Sequence, residues 1–369
     1  MHSSGLTIIN IEHRRMESYI CPECSSPARL KQYRIRKLHH VRGYGYDTIL
    51  RVRIPQIVCE GCGKASMMPF PIARKGVSFT IGFEEWVLRT LYDKNVSKAS
   101  RETMVGQWML WDILFYRVNE ALEGLVLDNV EMISIDETSF RKGHDYVTVV
   151  SDQDRRLVFM CHGKGSNSLA EFCDWMRLHG GDPKKISVVC ADMSTAFESG
   201  IRRYLPNAVE VFDKFHVIKL LNDDMNVIRK RLIKTTPAEK RKELDHIKFT
   251  VLKHRESMSE KDEERYRTIR LVNPELALAY DMKEAFYRIY EQEDKDAAKE
   301  FFDGWSEWVI NDGCRELKIR ARKLREKMDK ILSWYDHPVT NAFAEGLNSK
   351  IQKVKADGCG FTNVRNFIN

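Results

Sequence analysis

Long apolar runs are missing from this sequence of 369 residues. No stretch approaches the roughly 20 consecutive apolar residues that a membrane-spanning helix requires. The N-terminal segment MHSSGLTIINIEHRRMES also lacks the continuous apolar core of a secretory signal peptide. Internal repeats and low-complexity stretches are absent as well. Together, these absences predict a cytoplasmic protein that has no part in a membrane.

Charge, by contrast, is abundant. Charged residues make up 31% of the chain and hydrophobic residues 43%, a balance typical of globular proteins of two or three domains at this length. The net charge is +7, and the basic excess is concentrated. Residues 29–53 contain eight Arg or Lys and one acid, and residues 318–330 contain seven and two. Such clusters suit phosphate backbones, and a solvated helix face is an equally good interpretation of the second.

Nine cysteines are present, and four of them form two Cys-x-x-Cys pairs: Cys21 with Cys24, and Cys59 with Cys62. In a reducing compartment this pattern favours metal binding over a disulfide framework. Apolar and Arg residues alternate in ILRVRI between the pairs, which predicts a strand with one charged face. Two such pairs joined by strands are typical of a zinc ribbon, in which four thiolates hold one structural Zn²⁺. A redox-active or accidental pair is the alternative.

Residues 80–125 predict three helices. Apolar residues recur at helical spacing around Trp86 and Trp111. Between them a short helix is expected to open at Ser97, and a turn is expected at Gly106. Three short helices with a glycine turn before the last are typical of a helix-turn-helix, which binds DNA. A plain structural bundle is the alternative.

Residues 131–213 alternate between strands and helices. Helices are predicted over 167–179 and 194–204, each of them before a strand. Three sequential strands followed by alternating helix and strand indicate a mixed sheet with helices packed on it. The predicted strands are 131–136, 145–151, 156–162, 186–191 and 208–212.

The remainder of the chain is predicted to be helical. Residues 214–337 read as long charged helices interrupted only at Pro237 and Pro274. A last helix should begin after Pro338, with Thr340 as its cap, and end near Gly358.

Two of the predicted strands end in an aspartate, although an unpaired buried carboxylate is costly. Asp136 follows the apolar run that starts at Met132, and Asp192 follows the one that starts at Val188. If these strands are neighbours, the two carboxylates converge, and Mg²⁺ or Mn²⁺ would relieve their repulsion. A solvated strand end is the other interpretation of each acid.

A third acid is expected from a helix that packs on the sheet. Glu345 shares one helical face with Asn341 and Asn348 through i, i+4 and i+3 spacing. A face with two amides and a carboxylate suits a metal site, and an ordinary surface carboxylate is the alternative. Glu137, beside Asp136, should point to the opposite face of its strand and make no metal contact.

Three strings of this sequence resemble transposases of bacterial insertion sequences: IDETSFRKGHDYVTVVSD, ADMSTAFESGIRRYLPNAVEVFDKFHVIKLLN and HPVTNAFAEGLNSKIQKVKADGCGF. The resemblance covers nearly the whole chain. It is strongest to the group called ISL-three, in which a zinc ribbon and a helix-turn-helix precede a ribonuclease-H-like core. Transferred position by position, the catalytic Asp-Asp-Glu triad of that group is Asp136, Asp192 and Glu345. An Asp-x-x-His pattern of the group matches Asp213 and His216.

This resemblance implies a DDE transposase, which cleaves DNA and transfers strands by two-metal-ion phosphoryl transfer. Two Mg²⁺ (or Mn²⁺) ions would be bound by the triad, and one structural Zn²⁺ by the cysteines. The partners would be double-stranded DNA, as terminal inverted repeats and as target, and a second copy of the chain or a larger assembly. Such a protein would be cytoplasmic and associated with the bacterial nucleoid. Supporting roles are implied for Asp213, His216, Asn341 and Asn348, with plain packing or capping as the alternative for the first two.

The predicted fold class is α/β: a ribonuclease-H-like mixed sheet with a large all-helical insertion, preceded by a zinc ribbon and a small helical DNA-binding domain. Two other functions stay open, an inactive DNA-binding derivative (repressor or relic) and a repair or recombination nuclease on the same scaffold. The cations expected to contact DNA are Arg34, Arg36, Lys37, Arg51 and Arg53, with Lys318–Lys330 as a further candidate. The predicted domains are 1–72 (ribbon), 78–126 (helix-turn-helix-like), 130–215 (core, first part), 216–336 (helical insertion) and 337–369 (core, last helix).

Overall fold

A computed structural model describes residues 5–14, 16–43, 45–141, 143, 145–244, 246–338 and 342–369, and for residues 342–345 it describes the backbone alone. The chain forms two compact units. The first comprises the chain up to Gly124 together with Lys355–Phe367, and the second comprises Leu125–Val354.

The first unit begins with a five-stranded sheet in the order β1–β4–β3–β2, with β5 paired to β4. The alternation seen in ILRVRI predicts its central strand correctly. Leu50, Val52 and Ile54 are buried, whereas Arg51 and Arg53 are exposed. The strands are β1 (Leu6–Glu12), β2 (Tyr19–Ile20), β3 (Pro27–Gly43), β4 (Tyr46–Cys59) and β5 (Ala65–Met67).

Three helices follow: α1 (Ile81–Tyr92), α2 (Val96–Thr103) and α3 (Gln107–Glu123). Asn95, and not Ser97, is the N-cap of α2, because its side chain accepts the backbone N–H of Lys98. The chain reverses at Met104, which has a left-handed φ of 56°, and Gly106 is the N-cap of α3. The three helices share one apolar core, built from Phe79, Phe83, Val87, Ala99, Val105, Leu110 and Ile113.

The last part of the chain packs on α3 within the same unit. The rings of Trp111 and Phe361 meet edge to face with centroids 6.3 Å apart. The guanidinium of Arg365 lies 5.1 Å from the ring centre of Phe115. Phe367 is buried and contacts Phe361. The side of α3 that carries Trp111 and Phe115 is therefore covered by the chain's own C-terminal segment.

The second unit contains a five-stranded mixed sheet in the order β10–β9–β6–β7–β8. Its three strands on one side run parallel, and β6, β7 and β8 are antiparallel. Apolar side chains from one face of the sheet, among them Ile133 and Ile135, form one core with Phe172 of α4 and Phe197 of α5. The elements are β6 (Met132–Arg141), β7 (Asp145–Asp152), β8 (Leu157–His162), α4 (Ser166–Leu178), β9 (Val188–Ala191), α5 (Thr195–Tyr204) and β10 (Val209–Phe212).

All five strands predicted in this region are present, but β6 is longer than predicted. It does not end at Asp136, since Glu137 to Ser139 and Arg141 continue to pair with β7. Only its pairing with β9 stops earlier, at Ser134 opposite Cys190. Asp136 therefore lies inside a strand, just beyond the point where β6 and β9 separate.

The region after β10 is helical, as predicted. Helices break at both prolines, as predicted: one ends at Thr235, before Pro237, and another begins at Pro274, since proline is tolerated at the first helical position. The prediction that only prolines interrupt the region is wrong, because a break also occurs at Gly313. No helix in the part of the chain that the structure describes is long and apolar enough to cross a membrane. The helices are α6 (Lys214–Thr235), α7 (Ala238–Arg241), α8 (Lys248–Leu252), α9 (Glu260–Val272), α10 (Pro274–Tyr287), α11 (Lys295–Asp312), α12 (Arg315–Arg325), α13 (Met328–Leu332), α14 (Ala342–Asp357) and α15 (Val364–Ile368).

Part of the basic run Lys318–Lys330, a candidate for DNA contact, is engaged within the protein. Lys330 binds Glu198 at 2.8 Å and Glu210 at 2.6 Å, and Lys327 also binds Glu198. Arg320 makes two hydrogen bonds to Asp224. These ion pairs hold α12 and α13 to α5, β10 and α6, so the charges serve packing of the helical region.

Replacing Lys330 with Ala is expected to lower the free energy of unfolding by about 3 kcal/mol. The Glu210 side chain is only 7% exposed, so the variant would leave a buried carboxylate without its cation. Urea denaturation measures the effect. Lys323→Ala, in the same run but exposed, is the matched control and should change stability by less than about 0.5 kcal/mol. Equal stabilities of the two variants would contradict a structural role for Lys330.

Candidate active site and metal centres

The four paired cysteines come together in the first unit. Their sulfur atoms all lie within 4.8 Å of one another, with Cys21 and Cys62 4.0 Å apart and Cys24 and Cys59 3.4 Å apart. Sulfurs bound to one tetrahedral Zn²⁺ at about 2.3 Å would be spaced by about 3.8 Å. The geometry and the donor set therefore fit a structural zinc.

Local hydrogen bonds prepare these thiols for a metal. The backbone N–H groups of Gly61 and Cys62 donate to Cys59 Sγ at 3.3 Å each. The side chain and backbone of Ser26 lower the pKa of the Cys24 thiol to about 6, which favours the thiolate that binds zinc.

Asp136 and Asp192 are brought together by the register of β6 and β9. These parallel strands pair Ile133 with Val189 and Ser134 with Cys190. Asp136 and Asp192 each follow two residues after that last pair, where the two strands separate and β9 has ended at Ala191. Besides burial, the negative charge of Asp192 raises the pKa of Asp136, so the two carboxylates lie near each other. Alternation along β6 puts Asp136 on the face of Ser134.

Helix α14 contacts Asp136 on that face. Asn348 Nδ2 donates to Asp136 Oδ2 at 2.6 Å, and the backbone N–H of Glu137 donates to Asp136 Oδ1 at 2.7 Å. One turn later, Gln352 donates to the Thr138 hydroxyl at 2.6 Å and to the Ser139 carbonyl at 3.0 Å. Asn348 is thus placed as expected, and Gln352 was missed although its i+4 spacing from Asn348 could have revealed it.

Asp213 and His216 lie beside the two aspartates. Asp213 is the buried N-cap of α6, and its Oδ2 lies 2.9 Å from His216 Nδ1. Burial alone would lower the pKa of His216. The hydrogen bond to Asp213 and the negative charges of Asp136 and Asp192 outweigh burial, so the pKa is raised and the positive form is favoured.

The aspartates themselves are held in an environment that disfavours two negative charges. Burial raises the pKa of Asp136 most, and the negative charges of Asp192 and Asp213 raise it further against the opposing effect of His216. Burial likewise raises the pKa of Asp192, while His216 and Lys219 oppose it. A bound cation would remove this penalty.

Glu137 is closer to the site than the sequence suggested. The strand alternation puts it on the face of Ile133 and Ile135, as expected. Even so, burial and the negative charge of Asp192 raise its pKa to about 7, against the opposing charge of Lys164. The raised pKa favours the uncharged form of Glu137, whose side chain lies near Asp192 from the opposite side of the sheet.

Two of the residues expected at the site cannot be placed. Asn341 lies outside the described residues, and Glu345 lies in α14 but its side chain is outside the described part. Glu345 stands three residues before Asn348, one helical turn from the amide that contacts Asp136.

The five cations expected to bind DNA do not share one face of the ribbon sheet. Lys37 is opposite Arg51, and all of Lys37, Arg51 and Arg53 are exposed on one face. Arg34 and Arg36 point to the other face, paired with Ile54 and Val52. Arg36 donates to the Val77 carbonyl and so holds the chain next to β3.

Two models of known protein families match this chain. A family model described as a transposase of the DDE type, ISL3 (ISL-three) group, matches residues 133–369. A second model, a zinc finger of the transposases of IS204, IS1001, IS1096 and IS1165, matches residues 17–62.

Two curated relatives are also similar. The transposase for insertion sequence element IS1001 of Bordetella parapertussis is 22% identical over 356 residues, which cover 95% of this chain and 87% of the relative. The transposase for insertion sequence element IS1557 of Mycobacterium tuberculosis is 25% identical over 355 residues, which cover 87% of this chain and 77% of the relative. With a family model matching well over half of its length, this chain belongs to the DDE transposases of the ISL3 group, a family of DNA-cleaving enzymes.

Proposed function

We propose that this protein binds the terminal inverted repeats of an insertion sequence, cleaves the DNA there and joins the freed ends to target DNA. One observation carries the proposal. Asp136, which is buried, and Asp192, which is half-buried, are distant in sequence but lie near each other where the neighbouring strands β6 and β9 separate. Burial of two neighbouring carboxylates destabilises a protein, and acids perturbed in this way are concentrated at functional sites.

The residues around these acids fit two Mg²⁺ or Mn²⁺ ions. All nearby donors are hard oxygens, the ligands that these ions prefer. Asn348 Oδ1 is buried and has no hydrogen-bond partner, which leaves an oxygen beside Asp136 available. Glu345 would complete the set. When bound, the ions supply the Lewis acidity that in-line displacement at a phosphodiester requires.

The chain's own side chains orient this centre. Asn348 fixes one oxygen of Asp136, and the backbone N–H of Glu137 fixes the other. Asp213 holds His216 so that its positive charge faces Asp136 and Asp192. Their repulsion is thereby reduced before DNA arrives, and the carboxylates stay close enough to act together.

Recognition of the element ends is assigned to the first unit. The exposed face of the ribbon sheet carries Lys37, Arg51 and Arg53, and α2 and α3 follow the ribbon in the chain. Phosphate contacts would supply affinity, while a helix in the major groove would select sequence. Because two ends must be joined, we expect a homodimer or a larger assembly.

The test uses the full chain, labelled element ends, Mg²⁺ and a target plasmid. The expected result is cleavage at the element ends and covalent junctions with the plasmid, identified by sequencing. Cleavage without junctions would favour a repair-type nuclease. Binding of the ends with no cleavage in Mg²⁺ or Mn²⁺ would overturn the enzymatic proposal in favour of an inactive DNA-binding derivative.

A further inference from the structure

A groove of about 900 Å³ opens beside the zinc ribbon in the first unit. We call it the ribbon groove and define it by Lys37, Lys64, Met67, Phe70, Lys75 and Val77, which line it. Lys37 was one of the cations expected to bind DNA. Lys64 and Lys75 were not among those cations.

The walls of the groove are fixed by hydrogen bonds. The backbone N–H of His39 donates to the Ser78 carbonyl at 2.8 Å, and that of Thr80 donates to the His39 carbonyl at 2.9 Å. Arg36 adds a side-chain bond to the Val77 carbonyl. On the other side, the Met68 N–H donates to the Pro55 carbonyl at 2.9 Å. The groove is therefore built by pairing to β3 and β4 and is not a gap left by a loose loop.

Some cations near the groove form ion pairs within the protein, and others line the groove. Arg74 pairs with the buried Glu84 at 2.6 Å and stacks 3.4 Å from the ring centre of Tyr116. Lys37 and Lys64 form no ion pair within the described residues. Lys75 has a side chain that is 95% exposed, and its one ion pair among the described residues is with Glu23, at 3.3 Å.

The lining combines Lys64 and Lys75, and Lys37 at the border with the exposed sheet face, with the single acid Glu23 and an apolar wall of Met67, Phe70 and Val77. A DNA strand presents the complementary surface, with phosphates at a regular spacing and apolar deoxyribose between them. Ammonium groups act as point charges toward phosphate and read no base sequence. An acidic peptide also carries negative charge and is the alternative occupant of the groove.

We propose that the ribbon groove binds the sugar-phosphate backbone of DNA and gives affinity that does not depend on sequence. The inference rests on the proposed function and adds a second DNA-contacting surface to the exposed sheet face. Lys64 and Lys75 each neutralise a phosphate, and Lys75 exchanges Glu23 for that phosphate when DNA binds.

The experiment measures equilibrium binding of the full chain to an element end and to unrelated duplex DNA across a range of salt concentrations. For the double variant Lys64→Ala, Lys75→Ala, the slope of log affinity against log salt should become shallower by about 2, since each lost phosphate contact accounts for about 0.9. Affinity for the two DNAs should fall by the same factor. Arg at both positions should restore the slope.

Two further variants serve as a charge-matched control and as a test in the opposite direction. Lys261→Ala, Lys299→Ala removes the same charge from exposed positions of the second unit and should leave the slope unchanged. Glu23→Gln releases Lys75 and should tighten binding to both DNAs. Zinc content measured alongside must stay at one ion per chain, so that loss of the ribbon is not mistaken for loss of a contact.

An unchanged slope in the double variant, with wild type binding normally, would overturn the groove as a DNA site. A loss confined to the element end would also overturn it, because backbone contacts act on all sequences. Failure of wild type to bind either DNA would overturn the proposed function as well.

Discussion

Asp136→Asn is expected to reduce strand cleavage by about 10³-fold or more while binding of element ends is retained. The substitution keeps the shape of the side chain and its contact with Asn348, but it removes the charge that faces Asp192 across the two strands. Cleavage of a labelled end in Mg²⁺ measures the first quantity, and a gel-shift assay measures the second. Asp192→Asn and Glu345→Gln should have the same effect.

Asp145→Asn is the matched control for this prediction. It makes the same chemical change on the neighbouring strand β7, where the carboxylate pairs with His162 at 2.7 Å. Normal cleavage is expected from the control. Metal-dependent cleavage at the wild-type rate by Asp136→Asn, or by either of the other two variants, would remove that residue from the proposed site.

Cys59→Ser is expected to abolish zinc binding and to weaken binding of element ends by on the order of tenfold or more. Cys59 is buried, and two backbone N–H groups hold its sulfur among the other three. Structural zinc contributes roughly 10–16 kcal/mol to the folding of small zinc domains, so the ribbon should unfold without it. Lys37, Arg51 and Arg53 would then no longer share one exposed face, and several phosphate contacts would be lost.

Zinc content per chain and end affinity are measured together for this variant. Cys359→Ser is the control, since Cys359 is an exposed cysteine of the same unit whose sulfur accepts from the Asn95 amide and donates to the Asp357 carbonyl. One zinc per chain and full affinity are expected there. Full affinity in the Cys59 variant after complete zinc loss would show that the ribbon does not contribute to DNA binding.

Most of the secondary structure could be predicted because it depends on local patterns. The apolar runs before Asp136 and Asp192 identify two strands, and the alternation around Arg51 identifies a third. The continuation of β6 to Arg141 could not be predicted, because that segment is polar and becomes a strand only through its pairing with β7.

The roles of charged residues were harder to predict than the secondary structure. A run such as Lys318–Lys330 has the same appearance whether it meets DNA or Glu198 and Glu210, which lie more than a hundred residues earlier in the chain. The cations of the ribbon were equally hard to interpret. Alternation along β4 puts Arg51 and Arg53 on one face of the sheet. Only the register between β3 and β4 shows that Lys37 is on that face and Arg36 on the other.

At the candidate site, the sequence identified which acids to consider and which amide would accompany them. The proximity of Glu137 to Asp192 was missed, because alternation along one strand says nothing about residues on the next. The resemblance to transposases supplied Asp213 and His216, and the structure adds their contact. Their catalytic roles and the domain boundaries stay predictions.

The hydrogen bond between Asn348 and Asp136 joins residues 212 positions apart. A ribosome adding about 5–20 residues per second releases the second partner roughly 10–40 s after the first. For most of that interval the nascent chain holds both aspartates but has no α14 to lie against them. The contact that orients Asp136 therefore forms only after α14 has left the ribosome, which makes it a late step in the folding of the sheet's candidate site.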